Sequence, residues 1–221
     1  MAVTWTQTVV NLAGVAPNAA TYTSPSLSFG TPSSDRIVVV EIAYQVVTSM
    51  TVTTIGGVTA ILAVRDESAG VFGSAVWFAN VPSGSTGTIA FSDSGNFISA
   101  LNIAVGTITG AGTSPTPTTA TFPHGVSAAP SVTLNVPSGA IGVMSLYGDR
   151  AITGSWTNAQ SDSYDQTQVA SEVVLEAGDT NGNVGGSLAV TWNGTLANYS
   201  MSAAIFSAAG VTGINIWPYK T

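Results

Sequence analysis

The stretch from Asp35 to Tyr44, DRIVVVEIAY, constrains the fold more than any other part of the chain. Successive residues of a strand turn to opposite faces. Ile37, Val39, Glu41 and Ala43 therefore point one way, and Arg36, Val38, Val40, Ile42 and Tyr44 the other. An isolated edge strand has little use for apolar groups on both faces. The segment is expected at the centre of a sheet, buried on at least one side.

A period of two recurs through the rest of the chain. Residues 51–55 run into Gly56-Gly57, which suggests a turn, and resume at 58–64. In the next run Trp77 is expected to share a face with Ala75 and Ala79, filling the space those small residues leave, with Val76 and Phe78 opposite. Further strands are expected at 88–92, 100–108, 132–136, 140–147, 152–156, 169–175, 188–192 and 199–206. The first thirty-odd residues read as an extended arm or edge strands, since Pro17 and Pro25 block helix and central-strand hydrogen bonding. Residues 110–125 read as a solvent-exposed crossing because of Pro115 and Pro117, and 158–169 as a polar loop. No stretch carries a capped apolar stripe of helical period.

Repetition appears as well. Leu101 to Val105 followed by Gly110 resembles Met201 to Ile205 followed by Gly210, and Ile89-Phe91 has a relation in Leu188-Val190-Trp192, about one hundred residues on. The expected fold is all-β, an antiparallel β-sandwich or jelly-roll-like arrangement built from two similar halves. A single unit over 1–221 with extended termini is favoured. Two small sandwiches, 1–110 and 126–221, joined by a Pro/Thr linker are the alternative.

Composition narrows the function. Four basic residues oppose eleven acidic ones for a formal charge of −7, which argues against a surface that tracks phosphates, and hence against nucleic acid as partner. Charged residues make up only 7% of the chain, so solubility rests on Thr, Ser, Asn and Gly. Such a surface costs less to desolvate than one of Lys and Glu and suits a protein held against neighbours. There is no cysteine for a disulfide, thiolate metal site or thiol nucleophile. No basic head precedes an apolar core at the N-terminus, and no apolar run approaches membrane-spanning length. Export through a signal peptide and membrane insertion are therefore not expected.

Chemistry-bearing residues are scattered. His124, the single histidine, lies between Pro123 and Gly125 with no nucleophile elbow elsewhere, so it reads as an ordinary loop residue. Glu172 with Glu176 and Asp162 with Asp165 are the carboxylate pairs to weigh for glycoside hydrolysis, and both read as solvation. The run Asp179-Thr180-Asn181-Gly182-Asn183 has alternating oxygens but lacks the acidic closure of a calcium loop and reads as a turn. Neither a metal, a cofactor nor catalysis is expected. Tyr147, Trp156 and Tyr164 are the candidates for carbohydrate contact through sandwich loops, and Trp217 and Tyr219 for an assembly contact near the C-terminus.

The succession Asp35-Arg36-Ile37-Val38-Val39-Val40, then residues 52–57, then Val76-Trp77-Phe78-Ala79-Asn80-Val81-Pro82-Ser83-Gly84, then residues 101–110 resembles the β-rich structural proteins of tailed bacteriophages and gene transfer agents. Head spikes, fibres and decoration proteins belong to that class. The resemblance implies a non-enzymatic virion protein, assembled in the host cytoplasm, that decorates a capsid or forms part of a head or tail fibre. Its partners would be other virion proteins and further copies of itself. The alternative is a receptor-recognition module that binds a host-surface carbohydrate.

Overall fold

The computed structural model describes residues 3–15, 19–46, 49–68, 72–94, 98–115, 117–128, 131–148, 154–157, 164–168, 173–179, 186–192 and 195–209, and every regular element among them is a strand. The first half contains β1 (Thr4–Val15), β2 (Thr21–Thr23), β3 (Leu27–Ser28), β4 (Ile37–Val46), β5 (Met50–Ile55), β6 (Val58–Thr59), β7 (Ile61–Ser68), β8 (Phe72–Asn80), β9 (Thr86–Gly87), β10 (Ile89–Asp93) and β11 (Ile98–Thr109). The second contains β12 (Thr118–Ala128), β13 (Ser131–Val136), β14 (Ile141–Gly148), β15 (Gly154–Thr157), β16 (Tyr164–Gln168), β17 (Val173–Asp179), β18 (Gly186–Trp192) and β19 (Thr195–Phe206).

Each half is one long antiparallel ribbon folded over on itself. In the first, β1 pairs with β11, β2 with β10, β4 with β8 and β5 with β6. In the second, β12 pairs with β19, β13 with β18 and β14 with β17. Rolling such a ribbon gives two facing sheets in jelly-roll fashion. Their strand orders are β1-β11-β4-β8-β7 and β2-β10-β5-β6 in the first half, and β12-β19-β14-β17-β16 and β13-β18-β15 in the second. The halves thus repeat one topology, and the likeness of residues 101–105 to 201–205 corresponds to the equivalent strands β11 and β19.

Local chemistry explains the corners. Ile55 pairs with Val58 across Gly56 and Gly57, whose φ angles of 59° and 78° make the two-residue turn whose twist suits a hairpin. Beyond Thr59 the strand does not stop. It bonds to β5 in one sheet, passes Ala60, and continues as β7 paired to β8 in the other, so a single extended run serves both sheets.

The central position expected for β4 is observed, with burial on both faces. Val38, Val40, Ile42 and Tyr44 pack into the first sandwich with Trp77, Ala75, Ala79, Leu101, Ile103 and Val105. The other face, with Ile37 and Val39, meets the second half. There Val76, Phe78 and Ile108 pack with Ile141, Val143, Ala204 and Phe206, so the two five-stranded sheets lie face to face. Phe78 and Phe206 meet edge-on with ring centroids 5.5 Å apart, a geometry worth about 1 kcal/mol beyond the area it buries. Trp77 and Phe78 therefore take the opposite faces that the alternation assigns them. Trp5 lies flat over Gly106, where a Cβ would stand 2.1 Å from the indole. Glycine there lets the ring cover the bare backbone of β11.

Two expectations need correction. The crossing between halves ends at residue 117, because β12 already pairs with β19 from Thr118. Pro123 is accommodated there because β12 is an edge strand whose register slips between Phe122 and Gly125. The polar loop expected at 158–169 contains β16, an edge strand that obtains its order from β17 despite a hydrophilic sequence.

Cleavage of the crossing near Pro115 is expected to leave the halves associated, because they share an apolar interior. Size-exclusion chromatography of the nicked protein checks this, and elution as two separately folding halves is the opposite result.

Candidate functional site

Polar side chains concentrate in three places in the described structure. The first is Arg36, which enters β4 from a turn and is only 1% exposed. Its Nε donates to Val81 O at 2.7 Å, Nη1 to Phe29 O and Gly30 O at 3.1 Å each, and Nη2 to Ser83 O at 2.9 Å and Gly84 O at 2.6 Å. All five guanidinium protons end on main-chain carbonyls of two loops, which the side chain clamps to the end of the sandwich. Burial lowers its pKa from the ordinary value, yet a guanidinium remains protonated at neutral pH. Beside it, the Asp35 carboxylate accepts from Ser33 Oγ at 2.5 Å and from Gly110 N at 2.8 Å, and both bonds hold its pKa below the usual value.

The second is a network where β4, β5 and β7 approach. Glu67 accepts from the Tyr44 hydroxyl at 2.5 Å, from Ser49 Oγ at 3.2 Å and from Met50 N at 3.4 Å, and Arg65 Nε lies 3.3 Å from it. Arg65 also donates to Ser49 Oγ at 2.7 Å and Met50 O at 2.9 Å, while Ser49 N donates to Asp93 at 3.2 Å. Burial, then the bond to Glu67, pushes the Tyr44 phenol far above its ordinary range.

The third lies between the halves. Ser202 Oγ donates to Ser74 O at 2.8 Å and Ser200 Oγ to Asp66 O at 2.8 Å, while Ser74 N donates to Ser200 Oγ at 3.0 Å and Ser74 Oγ to Ser202 Oγ at 3.1 Å. Every hydroxyl proton of the three serines has an acceptor. Ser145 Oγ reaches Ile42 O at 2.8 Å, and Met201 N donates to Asp66 Oδ2 at 3.2 Å. A satisfied network of this kind fixes one register between two sheets that apolar packing alone would let slide.

These groups are consumed by structure. The seven charged side chains whose surroundings are described, Asp35, Arg36, Glu41, Arg65, Asp66, Glu67 and Asp93, are all buried or half-buried. Among the described residues no group of three or more His, Asp or Glu is placed to hold a metal. The outer face of β2 and β5 presents Thr21, Thr23 and Thr53 instead.

The residues singled out by the sequence fall as follows. Tyr147 is 3% exposed and stacks on Phe72 at 4.8 Å between the halves, so it belongs to the interior. Trp156 lies on β15 opposite Val190, and Tyr164 opens β16 opposite Ala177, in different sheets. His124 lies on β12 and not in a loop, at the slip in its register. Asp165 and Glu176 are cross-strand partners, a pairing that the sequence pairs Glu172 with Glu176 and Asp162 with Asp165 did not anticipate. Asp162, Glu172, residues 180–183, Trp217 and Tyr219 lie outside the described residues. Sequence reasoning missed the clamp of Arg36, although an arginine opening a β-branched run was its visible signal. It also missed Ser74, Ser145, Ser200 and Ser202, which read as polar interruptions of apolar strands.

Comparison with protein-family models, with curated proteins and with solved structures gives no match.

Replacing Arg36 by Met is expected to destabilise the fold by about 2–4 kcal/mol, because five main-chain carbonyls, two of them in buried bonds, lose a charged donor. Urea unfolding at neutral pH measures it, and Arg36→Lys should recover only part, since an ammonium has three protons. Tyr44→Phe should cost about 1 kcal/mol at neutral pH. The pH dependence has a definite sign. Because the folded phenol has the raised pKa, its stabilisation is full below about pH 10, the value for an unfolded tyrosine, and is lost as pH rises above it. Urea titrations across that range should show a shallower alkaline decline in Tyr44→Phe than in the wild type.

Proposed function

We propose that this chain is a non-enzymatic structural protein of a particle, specifically a virion component of a tailed bacteriophage that decorates the capsid or forms part of a head or tail fibre. The inward placement of charge carries this reading. In a chain with so few ionisable groups, the described ones are buried or half-buried, and Asp35, Arg36, Arg65, Asp66, Glu67 and Asp93 bind carbonyls, main-chain amides, hydroxyls or one another. Among the described residues the exposed surface is rich in Thr, Ser and Gly, and hydroxyls are cheaper to strip of water than ammonium or carboxylate groups. A rigid sandwich pair with such a surface suits repeated packing against neighbours, where many modest contacts add through avidity.

The resemblance of residues 35–40, 52–57, 76–84 and 101–110 to phage head and fibre proteins supplies the specific assembly. The strands that carry it are β4, β5, β8 and β11, the framework of the first sandwich.

The expected outcome is co-purification of the chain with virus particles at a fixed copy number, read by quantitative mass spectrometry of gradient-purified particles. A soluble protein absent from particles would overturn the proposal.

A further inference from the structure

We draw no further inference here: the strongest candidate, the apolar patch of Val58, Ile61 and Leu62 on the outer edge formed by β6 and β7 of the first sandwich, carries none, because nothing in the structure shows what covers it.

Discussion

The two-sided burial of β4 is the constraint from which the architecture follows. A single rolled ribbon has one interior, between its two sheets. It can cover Val38, Val40, Ile42 and Tyr44 but leaves Ile37, Val39 and Ala43 on an outer face. Leaving that face wet would forfeit roughly 25 cal/mol for each Å² of apolar surface it fails to bury. The second half answers with a face of its own on β14 and β19, where Ile141, Val143, Ala204 and Phe206 close the third interior of a stack of four sheets. Repeating one topology is an economical way to obtain that match, because two sheets of one origin share twist and strand spacing.

Packing of this kind between flat faces has a weakness in its lack of direction. Apolar contacts are nearly indifferent to a small slide, and a slide along a strand by one residue exchanges inner for outer side chains. The serines between the halves remove that freedom. Ser74, Ser200 and Ser202 satisfy one another and two carbonyls in a single arrangement, and a displaced arrangement would leave buried hydroxyls unpaired at about 1–3 kcal/mol each. Arg36 does the same at the end of the first sandwich. Its five bonds to two loops have no equivalent in another geometry, and the fold tolerates a buried charge there because every proton is used.

Alternation made the strands legible wherever one face was apolar and the other not, or both were apolar. Ile89 and Phe91 face the core while Ala90 and Ser92 are half-exposed, as the period of two requires. The repeat was legible because β11 and β19 kept similar apolar spacing. Illegible were the elements whose order comes from a neighbour. β16 has a hydrophilic sequence and takes its place from its pairing with β17 and its approach to β1 and β11 of the first half, and β12 contains Pro123 and His124 in a stretch of turn-like composition. The polar interior was hidden for a related reason. Serine on a strand has the same one-letter text whether it meets water or another serine, and only the pairing of sheets far apart in sequence brings Ser74 to Ser200.

The inward turn of the described charges and the hydroxyl-rich surface among the described residues are two sides of one allocation. Fifteen ionisable groups of Asp, Glu, Lys and Arg type serve 221 residues, and those described are spent on corners, strand ends and the contact between halves. Electrostatic repulsion between copies is then left to a diffuse negative charge screened within about 8 Å at physiological salt. In a free monomer that allocation is a solubility hazard, because charged edges are the usual defence against association. The same allocation becomes an advantage once neighbours cover the surface, since few ions must then be dehydrated.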